Sequence, residues 1–161
     1  MPPWNHIHPA IVHFPIALLT VAPLLVLLGL FWPAQRRGIH TAALMLLLLG
    51  GAALLLALKS GEAVERYAHG SPELIAGLRQ HERLAQRAAL WFGLLDAAFL
   101  AIWVMPLLRK RELSHRLQCG LLVVWLAGSA VGVLTLGLTG HAGGHLVHDL
   151  HTHDGPEPPP D

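Results

Sequence analysis

The sequence predicts an all-α, integral membrane four-helix bundle with both termini on the periplasmic side. Three observations carry that prediction. Of the 161 residues, 53% are hydrophobic and 13% are charged, against about 25% charged in an ordinary soluble domain. The charges are segregated, leaving four long apolar windows, each able to cross a bilayer as a helix. The basic residues of the short turns gather at Arg36-Arg37 and at Arg109-Lys110-Arg111 with Arg116. Short basic loops stay in the cytoplasm, which points to a multi-pass protein of the bacterial inner (cytoplasmic) membrane.

No basic segment precedes the first window, so that window is expected to persist as a helix rather than serve as a cleaved signal. A helix over 9–31 starts at Pro9, where the missing N–H costs nothing. Pro15 and Pro23 lie inside it and are expected to bend it. A second helix, over 40–58, is almost wholly Leu, Ala and Gly, and Gly50-Gly51 permits a close neighbour. In the polar connection 59–87, Ser71-Pro72-Glu73 reads as a cap, a first residue and a first-turn acid. Leu74, Ile75, Leu78 and Leu84 follow at amphipathic spacing. The segment 72–87 therefore either lies on the membrane surface or runs unbroken into a third helix, over 88–108, with Pro106 near its end. The fourth helix spans 119–140, and Gly128 and Gly132 give it a small-residue face. Both glycine faces suit internal packing or a homo- or hetero-oligomer. Residues 1–150 form the transmembrane domain, and the His- and Pro-rich 151–161 are expected to be disordered. Trp4, Trp32 and Trp91 are expected at interfaces, and Trp103 and Trp125 between helices.

Ten of the twelve histidines fall on or near the outer side; only His40 and His115 fall on the inner side. Membrane insertion does not demand this pattern, so it calls for a chemical reason. At about 1.5 Å of rise per residue, His13 stands roughly 27 Å above the inner end of its helix and His141 roughly 33 Å above its own. Two such rings can face one another, with His8 and His81 as a second pair nearer the surface. Two neutral imidazoles on facing helices are an axial ligand set for b-type haem. Ala10, Ala17, Gly140, Gly143 and Gly144 leave room for the macrocycle, and Phe14 and Trp91 can line it. Arg79, Arg83 and Arg87 offer cationic partners for its propionates. The cofactor-binding set is thus His8, His13, His81, His141 and Arg83, for one or two haems. His145 and His148 are lesser candidates as metal ligands.

The same residues have plainer readings. His8 can approach a helix start, His13 can be a hydrogen-bonded imidazole, His81 beside Glu82 can be interfacial surface, and His141 can cap the last helix. The tail histidines suit casual metal affinity. Asp96 lies nine residues beyond Arg87, where an ionised carboxylate is costly unless it faces the bundle. It reads as a proton relay, as a partner for a ligand imidazole, or as a shallow paired acid. Cys119 is the lone cysteine, which excludes an internal disulfide, a CxxC pair and a CxxCH site for covalent haem. No phosphate loop, nucleophile elbow, HExxH or dinucleotide fingerprint is present. The basic turns are a topology and anionic-lipid feature without a nucleic-acid-reading domain.

Three stretches carry a family resemblance. They are His8-Pro9-Ala10-Ile11-Val12-His13-Phe14-Pro15-Ile16-Ala17, His81-Glu82, and Gly140-His141-Ala142-Gly143-Gly144-His145-Leu146-Val147-His148. They resemble the motifs of DUF2231, a domain-of-unknown-function family of small bacterial membrane proteins. His148 stands where that family commonly has Tyr, and Asp149-Leu150-His151-Thr152-His153 replaces its Gly-rich, apolar ending. The resemblance covers nearly the whole chain. It implies a four-helix membrane domain, with motif histidines at His8, His13, His81 and His141. Some relatives look like fusions to Rieske iron–sulfur or cytochrome domains, which implies electron transfer.

The expected function is a b-type cytochrome subunit. It would carry electrons near the periplasmic surface, to or from quinone or a periplasmic or membrane redox protein. No bond-making chemistry is implied, so any enzyme activity would belong to a larger redox complex. One alternative is zinc or copper binding or transport, although copper transfer favours Met and Cys ligands and Met45, Met105 and Cys119 stand apart from the histidines. Another is a non-redox membrane anchor or assembly subunit.

Overall fold

The computed structural model describes residue 8 and residues 10–65, 71–110 and 113–148. They form four long helices: α1 (His13–Phe31), α2 (Arg36–Glu65), α3 (Pro72–Arg109) and α4 (His115–His148). Each holds a window long and apolar enough to cross a membrane, and there is no strand among the described residues. Helix α1 packs on α2, α2 on α3, α3 on α4, and α4 back on α1, an up-down-up-down ring. Leu19, Val26, Leu47, Phe92, Phe99 and Leu122 fill its centre. Leu24, Leu56, Leu94, Val124 and Leu134 project outward, as lipid-facing positions do when helices are apolar all round.

The helices outrun the apolar windows that announce them. Helix α2 covers 30 residues and α4 covers 34, or about 45–51 Å at 1.5 Å per residue, well beyond the roughly 30 Å hydrocarbon core. Hydropathy marks where a helix meets lipid; it does not mark where helical hydrogen bonding stops. Nothing in 59–65 breaks a helix, and Lys59 pairs with Glu62 across one turn at 2.9 Å.

Of the two alternatives for 72–87, the unbroken helix is the one observed. The Leu74 N–H donates to Ser71 Oγ (3.3 Å), with Pro72 and Glu73 in the first turn. Helix α3 then continues to Arg109 through a π-turn at Leu100–Val104. That wider turn stands just before Pro106, whose ring would otherwise crowd the carbonyl four residues back. Lys110, in the left-handed region (φ 50°), ends the helix.

Pro23 lies inside α1 and is buried. Pro15 falls in the first turn of α1, and the break at Val12 separates α1 from a short turn in which the Val12 N–H donates to the His8 carbonyl (3.2 Å). Trp4, Pro9 and residues 151–161 lie outside the described residues.

Two reciprocal indole bonds lock α3 to α4. Trp91 Nε1–H donates to the Gly128 carbonyl (2.9 Å), and Trp125 Nε1–H donates to the Leu95 carbonyl (2.8 Å). Trp91 is thus an interhelical tie. The Gly128–Gly132 face is occupied from within: a Cβ on Gly132 would meet Phe92 Cζ at 2.9 Å and Trp91 Cδ1 at 3.0 Å. Trp103 and Trp125 are buried between helices. Replacing Trp125 by Phe removes one hydrogen bond while keeping most of the ring. It is expected to cost about 1 kcal/mol, read as a lower unfolding midpoint in detergent.

Candidate functional site

Where α1 and α3 begin and α2 and α4 end, the helices part around a cavity of about 470 Å³. That is within the roughly 300–1,000 Å³ of small-molecule and cofactor sites. Its walls are mainly apolar or small, among them Leu54, Ala57, Ala85, Leu136 and Gly140. Three imidazoles, those of His8, His13 and His81, line it, and His8 and His81 are the more buried of them.

The hydrogen bonds fix the tautomer of both rings. His81 Nδ1 lies 3.0 Å from the Thr139 carbonyl oxygen. A carbonyl only accepts, so Nδ1 carries the hydrogen, and the neutral ring keeps its lone pair on Nε2. His8 Nδ1 lies 2.7 Å from Ser60 Oγ, and the Ser60 hydroxyl donates to the Ala57 carbonyl (2.9 Å). A hydroxyl has one hydrogen, so Ser60 accepts from His8 Nδ1–H. His8 therefore has the same tautomer as His81. Both rings approach backbone that only glycine leaves open. A Cβ on Gly61 would stand 3.2 Å from His8 Cε1, and one on Gly143 would stand 3.1 Å from His81 Cε1.

Burial, and secondly the neighbouring His81, lower the pKa of His8 below its usual 6.5, against the opposing pull of the Ala57 carbonyl. An unfolded His8 takes a proton as the pH falls through 6.5, whereas the folded one resists. Its contribution to stability is present above 6.5 and is lost as the pH drops through the lower, folded value. The unfolding midpoint in detergent is therefore expected to fall on acidification below 6.5, and to fall less in His8→Gln.

The expected histidine pairs fare differently. His8 and His81 share the cavity. His13 also lines it, although largely exposed, whereas His141 is exposed and outside the lining. The rotation of α4 explains this. Leu136, Thr139, Gly140 and Gly143 face the cavity, and position 141 falls off that face at 100° per residue. His145 is likewise exposed and outside the lining; the side chain of His148 lies outside the described residues. Arg83 is turned away. Helix α3 presents Leu78, His81, Ala85 and Ala88 to the cavity, which puts Arg79, Arg83 and Arg87 on the opposite, exposed face. The charged residues in the lining are Glu62 and Glu82.

Asp96 is no partner of these imidazoles. It sits two turns below Ala88, at the seam of α2 and α3, where a Cβ on Gly51 would come within 2.7 Å of its Oδ2. Its Oδ1 is buried without a hydrogen-bond partner among the described residues. Sequence reasoning passed over Ser60, and it passed over His40. His40 is fully buried at the opposite end of the bundle. Its Nε2–H donates to the Val26 carbonyl (3.2 Å), and its ring meets Trp103 edge-on, with centroids 4.7 Å apart. Its spacing from the core residues Ala43 and Leu47, three and seven positions on, was the available signal.

Among the described residues, no three His, Cys, Asp or Glu side chains converge as a metal site. Residues 5–156 match a family described as "Predicted membrane protein (DUF2231)". The chain matches no curated protein and no solved structure.

Proposed function

The chain belongs to the DUF2231 family of membrane proteins, and from that premise we propose that it is a b-type cytochrome subunit holding one haem between His8 and His81. The observation that carries this reading is the pair of imidazoles, on separate segments of one apolar cavity, each with Nδ1–H given to a protein oxygen. Metal-ligating histidines are held in this way: the second nitrogen donates, which fixes the ring and leaves Nε2 for the metal. Two imidazoles suit an iron porphyrin, which needs only axial ligands, better than a closed zinc site, which takes four.

A bound haem would supply one-electron transfer. The protein's part is to hold the two rings, wall the macrocycle with apolar and small side chains, and keep water out. Glu62 and Glu82 oppose the charge of the propionates, and Lys59, paired with Glu62, offsets one of them. The basic turns stand at the opposite end of the bundle, at Arg36-Arg37 and Arg109-Lys110. By the positive-inside rule the cavity then opens near the periplasmic surface of a bacterial inner membrane, where quinone or a redox protein would exchange electrons with it.

The test is a dithionite-reduced minus oxidised visible spectrum of detergent-purified protein supplied with haem. A sharp reduced α-band, absent in His8→Ala, is the expected result. A wild-type protein that stays colourless defeats the reading, and metal analysis then separates a zinc or copper site from an anchor subunit.

A further inference from the structure

We infer that Ser60 is the positioning residue that fixes His8 in the one tautomer able to bind a metal or accept a hydrogen bond from the cavity. The functional consequence rests on the haem reading above; the tautomer itself does not.

Ser60 is 4% exposed and lies one helical turn beyond Ala57 on α2. A serine hydroxyl can rotate between two arrangements. In one it donates to a backbone carbonyl and accepts from His8 Nδ1–H, so that Nε2 carries the lone pair. In the other it donates to His8 Nδ1, the ring hydrogen moves to Nε2, and that nitrogen can no longer act as a ligand. The Ala57 carbonyl, 2.9 Å from Ser60 Oγ, holds the hydroxyl hydrogen and selects the first arrangement. Serine in a helix readily makes this bond to a carbonyl three or four residues back.

His81 needs no such device, because the Thr139 carbonyl accepts directly from its Nδ1. The difference has a structural cause. His81 is carried by α3 and reaches across to the backbone of α4 where Gly143 lets the ring come close. His8 precedes α1 and meets α2 at Ser60 and Gly61, where the Ser60 hydroxyl bonds both the ring and the Ala57 carbonyl, and that carbonyl also acts on the ring directly. The pair is therefore asymmetric: one imidazole is set by backbone alone, the other by a replaceable hydroxyl bonded at 2.7 Å, with the Ala57 carbonyl behind it.

The experiment compares wild type, Ser60→Ala and Ser60→Thr, with ¹⁵N-labelled histidines, in haem-free protein at a pH well above 6.5. His8→Gln assigns the His8 signals. Wild type is expected to show His8 wholly as the Nδ1–H form. Ser60→Ala is expected to show a mixture of tautomers, and Ser60→Thr to restore the single form, since threonine in a helix makes the same carbonyl bond. An unchanged His8 in Ser60→Ala overturns the inference. With haem, Ser60→Ala is expected to bind about 10–100-fold more weakly, the usual cost of losing a group that orients a ligand. It should also have a shifted midpoint potential, with both effects reversed in Ser60→Thr. Equal affinity and potential in the alanine variant overturn the functional half. A wild type that binds no haem defeats the cytochrome reading alone, and the ring-nitrogen signals still decide the role of Ser60.

Discussion

Alanine in place of His81 is expected to abolish haem binding, and alanine in place of His141 to leave it intact. His81 lines the cavity, with Nδ1 donating to Thr139. His141 lies on the exposed side of α4. Truncating His81 would remove one of the two axial donors proposed above. The measurement is the reduced-minus-oxidised spectrum of the two variants, each normalised to protein and loaded with the same haem excess. Loss in His141→Ala with retention in His81→Ala would reverse the assignment and restore the His13 and His141 pair as ligands.

Phe99→Ala is expected to cost the bundle about 2–3 kcal/mol. Phe99 is fully buried. It packs against Trp125 at a centroid distance of 5.1 Å and, more loosely, against His40 at 6.1 Å. In water-soluble cores Phe→Ala costs about 3–5 kcal/mol, from lost transfer free energy and from the cavity left behind. Inside a bilayer the surroundings are themselves apolar, so the transfer contribution shrinks and the lost packing remains. The void would also open beside the His40 ring, whose buried Nδ1 has no hydrogen-bond partner among the described residues, so that a water bound there could recover part of the loss. Unfolding in detergent measures the cost. A midpoint equal to wild type would mean that α3 and α4 close over the space without penalty.

Composition and charge segregation were enough to read the four-helix membrane class, because crossing lipid demands long apolar runs and satisfied backbone whatever the partner helices are. The cap at Ser71 and the packing of Trp103 and Trp125 were legible for equally local reasons. The ends of α2 and α4 were not, since the polar residues that leave the hydrocarbon remain good helix formers. Arg83 was misplaced because nearness in sequence to His81 stood in for facing: at 100° per residue, two positions separate opposite sides of a helix.

By itself the sequence determined the number of helices, the segregation of basic turns from histidines, and a set of four motif imidazoles that included the three in the cavity. Only the tertiary structure decided which of the four face the cavity together. Pairing depends on the rotation of each helix about its axis, and that is set by contacts such as the Trp91 and Trp125 indole bonds between α3 and α4. It also depends on groups silent in a one-dimensional pattern. Ser60 and the Thr139 carbonyl become partners of His8 and His81 only when residues 52 and 58 positions apart are folded together.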